Sequence, residues 1–418
     1  MSSPDQTYAR CAWRLIPFMM LLYLVSFIDR TNVGFAALTM NRDLGFSPSV
    51  FGLGAGLFFV TYILGQVPAT VLTRRYGARR VIAVIMVTWG LLAAANALVR
   101  DVRGFYALRL LLGLAEAGFL PGMLYYLTLW FPQRYRARYT AWFTAGIPLA
   151  GIIGGPISGL ILGMDGMAGL HGWQWLFIVE GLPATLLGFI VHRFLPDGPV
   201  DAAWLDSAER ATITANLMPD EPVHDRGPWR ALADGRVWAL GFAGIFNACS
   251  VYALVIWLPQ MIQAMGYSNG ATGFIVTVPY LAGMVAMIAW GRSSDARGDR
   301  IGHLAIGYLF TAASFAAACV VQGNVAMLAC LTTATMGVYS IFGPYYTLPS
   351  SFLGGSAKAS GIAAVNAIGN IGGLVGPYFV GVIRERTGGY AGSMAVLVVV
   401  ELMAVTTILL LGRRLARR

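Results

Sequence analysis

The chain has 418 residues, 57% of them hydrophobic and only 11% charged, with a net charge of +10. Together with a mean hydropathy of +0.67, this excludes an ordinary soluble domain and describes a polytopic membrane protein. Lys358 is the only lysine, so the basic excess is nearly all arginine, and its placement decides what it means. The opening MSSPDQTYARCAWRL is too polar for a signal peptide. The apolar run after it is too long and lacks a small-residue cleavage site, so it is expected to stay as a spanning helix.

Twelve apolar segments of helical length follow in order: 15–38, 50–72, 81–98, 104–130, 139–162, 173–195, 237–264, 271–290, 303–322, 325–348, 359–383 and 392–411. About 20 mostly apolar residues suffice to cross a bilayer. Between the sixth and seventh lies one long polar stretch, Pro196 to Arg236, with room for a short surface helix (Asp201 to Asn216) and then a Pro-rich linker. The expected organisation is therefore a first six-helix bundle over 1–195, a linker over 196–236 and a second bundle over 237–418.

With both termini cytoplasmic, the inner segments collect Arg74, Arg75, Arg79, Arg80, Arg134, Arg136, Arg138, Arg292, Arg297, Arg300, Lys358 and the arginines of the C-terminal tail. The outer loops keep only Arg42, Arg100, Arg103, Arg384 and Arg386. That bias is the positive-inside signal. It accounts for the basic balance without a nucleic-acid partner. The four cysteines are scattered, with no metal-ligand spacing, so neither disulfides nor a metal is expected.

The halves repeat. RRYGARR after the second segment and SDARGDR after the eighth place Gly77 and Arg79 against Gly298 and Arg300, both offset by 221 (298 − 77 and 300 − 79). Gly151 and Gly155 of the fifth segment match Gly372 and Gly376 of the eleventh at the same offset. A duplication of six helices is the simplest cause, and parallel six-helix halves are a transporter architecture.

The chemistry concentrates in the first and fourth segments. Asp29 and Arg30 lie two-thirds of the way along the first. Ionised groups at membrane depth cost about 2.5 kcal/mol or more and are rare unless they face a polar interior. Adjacent residues point about 100° apart on a helix, so each needs its own partner. Arg109 and Glu116 of the fourth segment, seven residues and two turns apart, lie on one face and can supply them. One reading is structural: the charges neutralise one another and pin two helices together. The other is a polar cavity in which arginine forks bind carboxylates and the acids exchange protons. A substrate anion would then compete with a carboxylate for arginine, which couples substrate to proton.

FIDRTNVGFA, LRLLLGLAEAGFLPG, WQWLFIVEGLP and FGPYYTLPSSFLGG running into GIAAVNAIGNIGGLVGP resemble the anion:cation symporter family of the major facilitator superfamily. Within it the likeness is greatest to bacterial tartrate, phthalate and hydroxyphenylacetate permeases. Gly291, Asp295, Gly298 and Arg300 match the superfamily's gating-loop motif, whereas Arg74 and Thr70 replace the usual aspartate and glycine in the first-half copy. The resemblance implies an all-α membrane protein of twelve transmembrane helices in two pseudo-symmetric six-helix bundles. It also implies that Asp29 and Glu116 couple protons, that Arg30 and Arg109 bind or organise the substrate carboxylate, and that Tyr62 contacts substrate.

Further candidate lining residues are Asn366 in the eleventh segment, Tyr252 and Trp257 before Pro259 in the seventh, and Tyr345 and Tyr346 after Pro344 in the tenth. Packing, an interfacial aromatic belt or helix–helix bonding are their competing explanations. Glu180 reads as an interfacial structural residue, and Glu401 has no visible partner. The Gly-rich fifth segment resembles an antiporter motif, but its copy in the eleventh points to close helix approach.

The expectation is an inner-membrane symporter that imports a small organic acid anion, tartrate or a similar hydroxylated carboxylate, with protons. The rivals are an aryl-acid permease, an efflux antiporter and a membrane sensor. No enzyme is expected, since no nucleophile–base pair, metal set or phosphate loop is present. The expected partners are the bilayer and the substrate, with no cofactor beyond protons, and the chain is expected to act as a monomer.

Overall fold

The computed structural model describes residues 4–217, 233–353 and 357–416. These are helical, with no strand among them, and contain twelve helices of membrane-spanning length and composition. They are α1 (Asp5–Asp43), α2 (Pro48–Tyr76), α3 (Ala78–Leu98), α4 (Val102–Trp130), α5 (Arg138–Met164) and α6 (Gly172–Phe194), followed by α7 (Gly235–Gln263), α8 (Asn269–Arg297), α9 (Arg300–Val320), α10 (Asn324–Thr347), α11 (Gly361–Thr387) and α12 (Ala391–Leu415). Every apolar segment coincides with one helix. Several helices run beyond their apolar stretch: α1 has 39 residues, about 58 Å at 1.5 Å per residue against a hydrocarbon core of about 30 Å.

Helices α4 and α10 break where the sequence withdraws a backbone donor. α4 opens at Ala117–Gly118, directly after Glu116, where Pro121 cannot donate to the Ala117 carbonyl. α10 breaks at Ile341, and Pro344 lacks the N–H that would reach Ser340.

The linker forms a shorter helix than its composition suggests, Ser207–Asn216, because Asp206 caps it: Asp206 Oδ1 accepts from the Glu209 amide at 2.7 Å and Glu209 Oε2 from the Asp206 amide at 3.2 Å. It is not a wholly exposed surface helix. Glu209 is buried and accepts from Arg10 of α1 at 2.9 Å, and Trp204 stacks on Trp130 of α4. The Pro-rich remainder of the linker lies outside the described residues.

The chain packs as two compact units that cut across the six-helix repeat. Unit 1 comprises Met1–Asn32, Val60–Gly151 and Met164–Asp220; unit 2 comprises Val33–Phe59, Ile152–Gly163 and Glu221–Arg418. The end of α1, the start of α2 and the end of α5 therefore belong with the second half of the sequence. Within unit 2 the reason is close helix approach. A Cβ at Gly155 of α5 would stand 2.7 Å from the Gly273 carbonyl of α8, and one at Gly52 of α2 2.5 Å from the Pro377 carbonyl of α11. Glu385, from the last turn of α11, completes the seam by capping α2: its Oε2 accepts from the Ser49 amide and the Ser47 hydroxyl, each at 2.9 Å. Because helices alternate in direction, all these contacts sit at the end of unit 2 remote from the start of α7.

Gly273→Val is expected to lower the thermal unfolding midpoint, since its side chain has no room against Gly155 and Gly159. The overpacking cost is about 1–3 kcal/mol. A midpoint equal to the wild type's in a detergent melt would contradict this account of the seam.

Candidate functional site

Unit 1 brings together the four charged residues marked in the sequence. Arg30 grips Glu116 with one edge of its guanidinium: Nε donates to Glu116 Oε1 at 2.8 Å and Nη2 stands 2.7 Å from the same oxygen. Ser26, one turn earlier on α1, donates its hydroxyl to that oxygen at 2.7 Å. The face of the Arg30 guanidinium lies over Tyr62 of α2, 4.7 Å from the ring centroid, and 5.3 Å from that of Phe27. Such stacking leaves the in-plane donors of an arginine available while holding its plane fixed.

Asp29 does not share this network. Its Oδ2 accepts from Trp89 Nε1 of α3 at 2.7 Å and its Oδ1 from Asn32 Nδ2 at 3.0 Å. Each residue donates an N–H, so Asp29 accepts on both of its oxygens. Arg109 is buried in α4, with Asp29, Glu116 and Arg30 all close enough to act on its charge. α4 is held to α2 beside it by Thr61, which donates to the Leu110 carbonyl at 2.6 Å.

Exposure falls to 2% at Asp29, 3% at Arg109 and 0% at Glu116, and the Arg30 side chain is 10% exposed, so the four groups form a largely dry, charge-balanced quartet. Glu116 Oε2 accepts no hydrogen bond among the described residues. The sequence reading had missed Trp89, Asn32 and Ser26. Ser26 is four residues before Arg30 and Asn32 three after Asp29, so helical spacing could have flagged both. Nothing in the sequence of α3 points Trp89 at Asp29.

The remaining candidates lie in unit 2, apart from Tyr62. Tyr252 of α7 packs on Phe59, ring centroids 4.3 Å apart. Trp257 is fully buried, donates from Nε1 to the Pro377 carbonyl at 3.1 Å and meets Phe51 edge-on. Tyr345 sits in the apolar core with its hydroxyl donating to the Leu240 carbonyl at 3.2 Å, whereas Tyr346 is exposed. Asn366 of α11 is half-buried.

The loop residues converge at the α8–α9 turn. Gly298 takes the left-handed φ of +64° that ends α8, Arg300 Nη2 faces Asp295 Oδ1 at 3.8 Å, and Gly291 lies against Gly343. In the first-half copy, where Arg74 replaces the aspartate, Arg79 finds its acid elsewhere: Asp197 Oδ2, just beyond α6, at 2.9 Å.

Two further carboxyls are buried. Glu180 is 5% exposed inside unit 1. Glu401 takes a core position on α12, in the buried stripe of Met394, Leu397, Ala404 and Ile408, beside Ser250 and Cys249 of α7 and Tyr308 of α9. Among the described residues no ion pair reaches it, and the Ser250 hydroxyl beside it is too poorly aligned to satisfy either oxygen. Glu401→Met should therefore stabilise the protein by about 1–3 kcal/mol, the cost of an unsatisfied buried polar group, seen as a higher melting midpoint. A lower midpoint would show that Glu401 holds a bond essential to the fold.

The model of the Major Facilitator Superfamily matches residues 19–377. A protein of Agrobacterium vitis named "Putative tartrate transporter" is 42% identical over 97% of this chain and 91% of its own length. A "Quinolone resistance transporter" of Acinetobacter baumannii is 40% identical over 97% and 95%. Among solved structures, an inward-facing, unoccupied bacterial homolog of the human lysosomal transporter Spinster superposes with a TM-score of 0.79 at 18% identity, covering 97% of each chain. A D-xylose–proton symporter gives 0.77 at 14%, covering 96% and 97%. The extent of these matches places the twelve helices and their duplicated halves in one family: the chain belongs to the major facilitator superfamily of membrane transporters.

Proposed function

We propose that the protein imports a small organic acid anion, a hydroxylated carboxylate such as tartrate, together with protons across the inner membrane, with both termini cytoplasmic. The observation that carries this reading is the dry, neutral quartet of Asp29, Arg30, Arg109 and Glu116. Two permanently charged forks suit carboxylates.

Charge balance supplies the coupling. Two carboxylates and two guanidiniums sum to zero, so an entering monoanion leaves one uncompensated negative charge at membrane depth, which costs several kcal/mol. One proton cancels it; a dianion requires two. Glu116 is the favoured acceptor, because Oε2 is uncommitted and the substrate competes for Arg30, its partner. Asp29 already accepts on both oxygens, from the Trp89 indole N–H and the Asn32 amide, and serves chiefly to orient the site. Alternating exposure of the six-helix halves, 1–195 and 237–418, with the α8–α9 loop residues gating, completes the carrier cycle.

The A. vitis relatives support the substrate class. The relative named for quinolone resistance favours a second reading, proton-driven efflux of aromatic compounds. A thermal-shift panel on purified protein separates them. Carboxylates at 100 times their dissociation constant should stabilise the wild type by about 2.7 kcal/mol. Stabilisation by quinolones or hydrophobic cations, with none from any carboxylate, would replace import by efflux.

A further inference from the structure

At the end of unit 2 remote from the start of α7, Arg384 stands in the last turn of α11 without a carboxylate partner among the described residues. The acid beside it in sequence, Glu385, is committed to capping α2. Arg384 Nη1 donates to Gln260 Oε1 of α7 at 3.0 Å, and the guanidinium lies 4.5 Å from the Tyr390 ring and 5.4 Å from that of Trp257. Its plane is thus held, and its other N–H groups remain to be used.

Two more donors share the place. Gln260 is 6% exposed, and its Nε2 has no hydrogen-bond partner; nor has the buried hydroxyl of Tyr390. Burial holds the Tyr390 hydroxyl above its ordinary titration range, only partly offset by Arg384, so it remains a donor at neutral pH. An arginine at a helix C-terminus is favoured by the helix dipole alone. The dipole does not explain why an amide and a phenol are buried beside it with no acceptor, since each such group costs about 1–3 kcal/mol. A ligand carrying two or more acceptor oxygens and a negative charge would satisfy all three.

We propose that Arg384, Gln260 and Tyr390 form a second carboxylate site, separate from the Asp29–Arg30–Arg109–Glu116 quartet, where the incoming anion is first captured. This rests on the import reading and on the proposed cytoplasmic termini, which make that end of unit 2 the outer one. In such an arrangement one carboxylate oxygen takes the free guanidinium edge and the other takes Gln260 Nε2–H and Tyr390 O–H.

The test is uptake kinetics in proteoliposomes, using the carboxylate that gives the largest thermal shift. Arg384→Gln is expected to raise KM about tenfold, the equivalent of one lost charged contact. Uptake at low substrate concentration should also lose most of its dependence on ionic strength, because the steering charge is gone. Gln260→Leu should raise KM less and leave the salt dependence intact, and Arg384→Lys should retain that dependence. A wild-type KM and salt dependence in Arg384→Gln would overturn this site while leaving import standing. Failure of the wild type to carry any carboxylate would overturn both.

Discussion

Arg30→Ala is expected to reduce uptake of the carried anion by at least about a hundredfold. Removing one member of a buried pair costs about 3–5 kcal/mol, and each 1.4 kcal/mol is a factor of ten. The loss has two parts. The substrate loses the fork held flat over Tyr62, and Glu116 loses both contacts to its Oε1 from the guanidinium. Arg30→Lys should recover only part of the activity, because an ammonium restores the charge but neither the bidentate geometry nor the stacked plane. Initial uptake rates in proteoliposomes, with the melting midpoint of each variant as a folding control, measure both effects. Full activity of a folded Arg30→Ala protein would remove Arg30 from the site.

The two buried acids should respond differently to the loss of their charge. Glu116→Gln keeps an amide oxygen for Ser26 and Arg30, so the variant should fold and still exchange internal for external substrate. It should not accumulate substrate in response to a pH gradient, because the proton acceptor is gone. Asp29→Asn is expected to damage the fold. Its carbonyl can keep Trp89 Nε1–H while its new NH₂ meets an Asn32 amide turned to present its oxygen, but the buried Arg109 loses a compensating negative charge. Breaking a buried charged set by removing one member costs about 3–5 kcal/mol, so the melting midpoint should fall. Normal gradient-driven accumulation by Glu116→Gln would assign the coupling proton elsewhere.

How much of this was legible beforehand depends on the kind of signal. The twelve spans were legible because the bilayer imposes a length and a polarity on each. The structure lengthens them, as in α1, because helices continue into water where caps rather than apolarity decide the end. The charged quartet was legible for the same energetic reason, since Asp29, Arg30, Arg109 and Glu116 are too costly at membrane depth to lie unpaired.

Which charge meets which partner was not legible. Helix 4 was expected to supply partners to both Asp29 and Arg30; it gives Arg30 the Glu116 carboxylate, whereas the hydrogen-bond donors to Asp29 are Trp89 of α3 and Asn32 of α1. An indole in an apolar helix reads as packing until the third dimension places it against a carboxylate. Glu385 and Arg384 illustrate the same limit. In sequence they are two charges in an outer loop; in the fold one caps α2 and the other faces unpartnered donors. Compact units that cut across the duplication were also beyond sequence periodicity, since contacts such as Gly155 with Gly273 join segments far apart in the chain.

The most direct test of the central claim is flux through the purified protein in liposomes under an imposed pH gradient, acidic outside. Labelled tartrate, or the carboxylate preferred in the thermal-shift panel, should accumulate inside above its external concentration. Protons should enter with it, alkalinising the medium, and accumulation should collapse when a protonophore dissipates the gradient. Equilibration without accumulation, or net export driven by the same gradient, would contradict proton-coupled import.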